Sequence, residues 1–177
     1  MSNFRDKKWI TSNFQLKRLL LQCKHCKWAT MNGNFVLPYN KINTLHVPKK
    51  KFSVILNTEK FDDSNKALGH WISCSFDVKT RIATLHDSLN EIEKSHQIVL
   101  NHIKIFCNVH NFKLNILRLK TQASQNVNCG LHSIWFTHKS HNLNANALLQ
   151  LRRLFQSYTV AQREQFVMND VLLNFEF

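Results

Sequence analysis

An α+β domain, with a central, mainly antiparallel sheet flanked by helices, is the fold class that this sequence predicts. Three observations carry it. Two alternating apolar stretches sit mid-chain, WISCSFDV at 71–78 and RIATLH at 81–86, with Lys79-Thr80 as the turn between them. Longer stretches of helical periodicity lie on both sides. Gly and Pro number only three and two in 177 residues, which leaves no linker, repeat or low-complexity segment, so residues 1–177 read as a single domain.

In chain order, Thr11-Ser12 can cap a helix running through Phe14, Leu16, Leu19 and Leu20. Trp9 and Phe14 read as parts of the fold. Residues 23–50 read as irregular, with Asn32-Gly33-Asn34 as a turn and Pro38 and Pro48 as breakers. The basic cluster Lys49-Lys50-Lys51 suits a solvated loop at least as well as a phosphate site. Residues 52–57 form a short apolar strand, and 59–66 a polar loop. Residues 91–106 read as a helix with Ile92, Val99, Ile103 and Phe106 on one stripe, capped by Ser88 or Asn90. Residues 113–120 (KLNILRLK) alternate again, and Leu114 and Ile116 compete with Leu117 and Leu119 for the core. Residues 129–139, 145–157 and 161–174 are helical. In the second of these, Arg152-Arg153 lie opposite Leu148, Leu149 and Leu151, as in an ordinary amphipathic helix.

The 24 Lys and Arg against 11 Asp and Glu give a formal net charge of +13. That balance favours a polyanionic partner, nucleic acid before a membrane surface. No apolar run approaches the ~18 residues of a membrane span. Leu19-Leu20-Leu21 is too short for a signal-peptide core, and Lys17-Arg18 interrupt the approach to it. Five scattered cysteines, an odd number, suit free thiols in a reducing compartment. Cys23 and Cys26 form a CxxC, but a structural zinc site needs a second pair of ligands. His46 is isolated and Cys74 falls within a strand, so no metal is expected.

The segment TQASQNVNCGLHSIWF, residues 121–136, carries the chemistry. Cys129 stands where a helix begins, and a thiolate nucleophile gains there from the partial positive charge and free N–H groups of the helix N-terminus. Gly130 lets substrate backbone approach closely. A histidine must pair with the thiol and later protonate the leaving amine. His70 opens the first strand of the hairpin, where Trp71 can wall the site from water. Asp87 ends the second strand, which brings it beside His70 to accept from the imidazole and fix its tautomer. The oxyanion then needs donors. The Cys129 backbone N–H is one, and the Gln122 side chain, seven positions upstream, is preferred to Gln125 for the other. Singly, each residue suits an ordinary core, cap or loop role. Their joint order, and the placing of two of the three glycines beside the histidine and the cysteine, favours the catalytic reading.

That order, His70-Trp71, then Asp87, then Gln122, then Cys129-Gly130, resembles the adenovirus-type (adenain-like) cysteine proteases, relatives of the ubiquitin-like-protein-specific proteases. The step of seven from Gln122 to Cys129 is similar to the adenain arrangement; proteases of ubiquitin-like conjugates usually place the two one residue closer. A buried strand ending in Asn57-Thr58 and leading by a loop to Gly69-His70-Trp71 is similar as well. The resemblance spans most of residues 12–140, and only the HW and Q…CG motifs are specific; the C-terminal helices match no motif. Two positions depart from it. Asp87 stands where the adenovirus enzymes have Glu, and Asn128 stands where ubiquitin-like proteases commonly have Asp.

The resemblance implies an adenain-like fold and a cysteine endopeptidase of a DNA virus or virus-like element. Such an enzyme cleaves viral precursor polypeptides near small residues, often Gly, during maturation in the virion and the infected host cell, nucleus or cytoplasm. It implies no cofactor for the chemistry, activation by DNA and by a viral peptide, and no membrane partner. In the adenovirus enzyme the peptide is disulfide-linked, but the match around Cys107 is too poor to carry that role over. Two alternatives stand beside this reading: a SUMO-type deconjugating protease, and a non-enzymatic nucleic-acid-binding domain with zinc on Cys23 and Cys26.

Overall fold

The computed structural model describes residues 13–22, 36–59 and 69–175. Trp9, the Thr11-Ser12 cap, the Asn32-Gly33-Asn34 turn, most of the 59–66 loop, and Cys23 and Cys26 lie outside the described residues, as does the side chain of Phe14.

The elements run α1 (Asn13–Gln22), β1 (Val36–Pro38), a 3-10 turn (Tyr39–Thr44), β2 (Phe52–Asn57), β3 (Trp71–Asp77), β4 (Ile82–His86), α2 (Ile92–Ser95), α3 (Gln97–Val109), β5 (Lys113–Leu117), α4 (Cys129–Asn142), α5 (Ala145–Leu154), a second 3-10 turn (Phe155–Ser157) and α6 (Val160–Asn174). The five strands lie in sequence order in one sheet. The central β2–β3–β4 meander is antiparallel as expected, but both outer pairs, β1–β2 and β4–β5, are parallel, so the sheet is mixed. β1 falls in the segment read as irregular. It is three residues long, ends in Pro38 at the sheet edge, and owes its conformation to pairing with Ile55, Leu56 and Asn57, which no local periodicity can signal.

Alternation along the strands sorts two cores. Val54, Leu56, Ile72, Cys74, Phe76, Ala83 and Leu85 pack with Val99, Ile103 and Phe106 of α3. Phe52 and Phe76 stack there at 4.7 Å, with Phe112 at the edge of both rings. On the other face Ile55 and Trp71 pack with Ile134, Trp135 and Phe136 of α4, with Leu16, Leu19 and Leu20 of α1, and with Val167 and Val171 of α6. Each fully buried leucine there contributes about 1.5–3 kcal/mol. This second face also carries small polar residues. Ser53, Ser73, Ser75 and Thr84 are all buried, and the Ser53 hydroxyl meets Ser140 of α4 at 3.1 Å. Small side chains at these positions let α4 lie close against the sheet.

β5 buries Leu117, followed by Leu119, on the α4 side, and Leu114 and Ile116 half-cover the opposite core. The helix expected over 91–106 is broken at His96, whose backbone leaves the helical region (φ −129, ψ 43), and it continues to Val109. Neither Ser88 nor Asn90 caps it. Its N-cap is Glu91, which makes no side-chain cap bond, and Asp87 instead braces the turn before the helix by accepting from the backbone N–H groups of Leu89 and Glu91.

Candidate active site

β3 and β4 are antiparallel neighbours in a register that pairs Ser73 with His86, so the start of β3 and the end of β4 share one end of the sheet. His70 immediately precedes β3 and Asp87 immediately follows β4. The His70 backbone is pinned first. Its N–H donates to Thr58 Oγ1 and its carbonyl accepts from the Thr58 N–H, both at 2.9 Å. Gly69, just before it, has φ +117, and a Cβ there would stand 2.7 Å from Asn57 Oδ1. The Asn57-Thr58 pair thus serves as the seat of the histidine.

The His70 ring donates from Nε2 to Asp87 Oδ1 at 2.6 Å. The Asp87 side chain is 1% exposed, and three donors converge on it: His70, the Leu89 N–H at 3.0 Å and the Glu91 N–H at 2.7 Å. Burial pushes its carboxyl up, but these donors outweigh burial and hold it at about 2. The Cys129 side chain acts on the same ring and helps raise its basicity. With Nε2 held by Asp87, Nδ1 is the nitrogen left for the sulfur. Burial lowers the basicity of His70, yet Asp87 and Cys129 together raise its pKa to about 9. His70 therefore carries its proton through neutral pH.

Cys129 is the first residue of α4, and its N-cap, Asn128, makes no side-chain cap bond. Backbone N–H groups of the first turn are thus left around the sulfur. Gln122 is buried, while Gln125 is exposed. The Gln122 side chain accepts from Ser88 Oγ at 2.6 Å through Oε1 and donates to the Asn126 carbonyl through Nε2. One N–H of that amide is left over. His70 and Asp87 are thus joined by a hydrogen bond, and Ser88, adjacent to Asp87, holds Gln122 beside them.

Neither a protein-family model nor any curated protein sequence matches the chain. Solved structures do match. The ASFV pS273R protease superposes with a TM-score of 0.56 at 16% identity, covering 99% of this chain and 70% of that one. ChlaDub1 from Chlamydia trachomatis superposes with a TM-score of 0.59 at 13% identity, covering 98% and 92%. The Chlamydia trachomatis effector Cdu1, solved bound to ubiquitin, gives 0.57 at 12% identity, covering 94% and 92%. The chain shares its fold with these three proteins.

Within this protease fold, several residues near the site had no sequence signal. Ser88 read as a helix cap and instead supports Gln122. His96 turns its ring onto His70, nearly parallel, with centroids 5.7 Å apart. Burial, and then the charge of His70, lower its basicity. It lines a cavity of about 370 Å³ with Tyr39, Thr58, Glu59, Ser95, Ile98 and Val99. Trp71 is buried in the same core cluster as Cys129. Cys107 is buried in α3, its thiol pushed up to about 12 by burial. Lys49 and Lys50 are exposed, whereas Lys51 donates to the Leu143 carbonyl at the end of α4. Among the described residues no three His, Cys, Asp or Glu side chains form a group able to hold a metal ion, and no helix is long and apolar enough to cross a membrane.

Proposed function

We propose that this chain is a cysteine endopeptidase in which Cys129 is the nucleophile, His70 the general base and acid, Asp87 the residue that orients His70, and Gln122 an oxyanion donor. The observation that carries it is the His70 ring bonded to the buried Asp87 carboxylate at 2.6 Å, with Cys129 at the start of α4 acting on the same ring. A protonated imidazole beside a sulfur favours the thiolate, the reactive form. That sulfur attacks the substrate carbonyl carbon, and the charge gathered on the carbonyl oxygen is met by the Cys129 backbone N–H and the spare Gln122 N–H. The His70 proton passes to the leaving amine, and a thioester remains on the sulfur. Neutral His70 then takes a proton from water, whose oxygen displaces the sulfur and releases the acid. Asp87 stays ionised throughout, since three donors hold its two oxygens.

The biological setting that fits best is maturation of precursor polypeptides in a DNA virus or virus-like element, in the virion and the infected cell, with DNA as a partner. The step of seven from Gln122 to Cys129 supports the adenain side of the superfamily. The +13 charge and the exposed Lys49, Lys50, Arg152 and Arg153 support a polyanion nearby. Activation by a viral peptide belongs to the same reading. A deconjugating activity is the second reading, favoured by the similarity to a ubiquitin-bound effector. Purified protein incubated with a panel of ubiquitin-like precursors and with Gly-containing precursor peptides separates them. Cleavage confined to the folded modifiers would overturn the maturation reading, and cleavage of either by the Cys129→Ala protein would overturn both.

A further inference from the structure

α6 carries no recognisable motif, yet it delivers a buried acid to the edge of the site. Glu164 is 8% exposed, in a chain with only 11 acidic residues. Its Oε2 accepts from Asn126 Nδ2 at 2.7 Å, and its Oε1 lies 3.8 Å from Nε2 of the fully buried His132 in α4. Burial pushes the carboxyl up, but His132, Asn126 and the Ala123 backbone N–H hold it below the usual carboxylate range. A charge buried at this depth is costly unless each contact is kept.

Those contacts surround the loop between Gln122 and Cys129. The Asn126 N–H closes a turn onto the Ala123 carbonyl at 3.0 Å. Glu164 holds the end of that turn through the Asn126 side chain. His132 reaches the start of the loop, with Nδ1 2.9 Å from Thr121 Oγ1. Thr121 and Gln122 both donate their N–H groups to the Ser88 carbonyl. The Gln122 amide is therefore fixed at its oxygen by Ser88 and at its nitrogen by the Asn126 carbonyl, and Asn126 is fixed by Glu164. The direction of the one spare Gln122 N–H follows from where Asn126 sits.

We infer that Glu164 is a positioning residue for the oxyanion donor: from α6 it holds the 123–126 turn and, through Asn126, aims the Gln122 amide. This rests on the protease reading above. It also gives the C-terminal helix a part in the reaction beyond covering the core.

The test separates oxyanion stabilisation from thiol reactivity. Alkylation by iodoacetamide needs the sulfur and displaces iodide, and forms no oxyanion. Hydrolysis of a fluorogenic peptide with Gly at the cleaved bond needs both. For Glu164→Gln and for Asn126→Ala, kcat should fall about 10- to 100-fold at unchanged KM, as a donor displaced by a fraction of an ångström loses its effect. Iodoacetamide should alkylate Cys129 at the wild-type rate in both. The double variant should be no worse than the more severe single one, because both act through one contact. Asn126 is exposed, so its variant keeps the test available if Glu164→Gln fails to fold. The inference is overturned if kcat stays within twofold of wild type in the folded variants, or if alkylation falls in parallel with kcat. Activity retained by Cys129→Ala would instead remove the protease reading beneath it.

Discussion

Replacing Asp87 by Asn changes one atom and reaches the centre of the site. In the wild type, Oδ1 receives His70 Nε2 at 2.6 Å and the Leu89 N–H at 3.0 Å, while Oδ2 receives the Glu91 N–H at 2.7 Å. An asparagine can keep its oxygen on His70 and Leu89, but its NH2 then faces the Glu91 N–H. One buried donor loses its acceptor, at about 1–3 kcal/mol. The larger effect is electrostatic. The His70 pKa stands at about 9 against an ordinary 6.5, a difference of about 3 kcal/mol shared between Asp87 and Cys129. Losing most of it lowers kcat/KM by about 100-fold. The sign can be followed in pH. His70 is raised, so its activity limb lies on the alkaline side, near pH 9, and in the variant it should move toward neutrality. The stability from the pair is whole between the two ordinary values, about 3.8 for Asp87 and 6.5 for His70. It is lost as pH falls through about 2 or rises through about 9. The assay is kcat/KM against pH with a fluorogenic peptide, alongside a thermal melt. A variant whose alkaline limb stays near pH 9 and whose rate is within threefold of wild type refutes the assignment of Asp87.

Other substitutions test separate parts. Gln122→Ala should cost about 10²–10³ in kcat while leaving alkylation of Cys129 intact, since one oxyanion donor is removed; equal loss of both would count against its role. Gly69→Ala forces a side chain at φ +117 into Asn57 and Glu59 beside His70, and should destabilise by about 1–3 kcal/mol in a denaturant melt. An unchanged midpoint would contradict the strain described there. Binding to a short DNA duplex, followed by anisotropy, should weaken steeply between 50 and 200 mM salt, with a smaller salt slope in Arg152→Ala/Arg153→Ala. Salt-independent binding would argue against a charge-driven interface.

The hairpin and the helix starting at Cys129 were legible because their information is local. WISCSFDV and RIATLH alternate, and Cys129 opens a run of helical period. The order of His70, Asp87, Gln122 and Cys129 could be read because the hairpin alone brings the histidine and the acid together. What was not legible depends on distant partners. β1 exists only through its pairing with β2, and the parallel pairing of β5 with β4 requires the α2–α3 crossover. Ser88 reads as a cap because Ser before a helical run usually is one; the chain instead starts the helix after Glu91, with Asp87 bracing the turn before it and Ser88 bonded to Gln122. Glu164 lies 35 residues beyond Cys129 on an ordinary amphipathic helix, and nothing local marks it as buried.

The most direct test of the account is the rate and site of alkylation by limiting iodoacetamide, mapped by mass spectrometry over all five cysteines in wild type and His70→Ala. Cys129 should be labelled first, well ahead of the buried Cys74 and Cys107, and its rate at pH 7 should drop by at least tenfold without His70. First labelling of any other cysteine, or an unchanged Cys129 rate in His70→Ala, would contradict it.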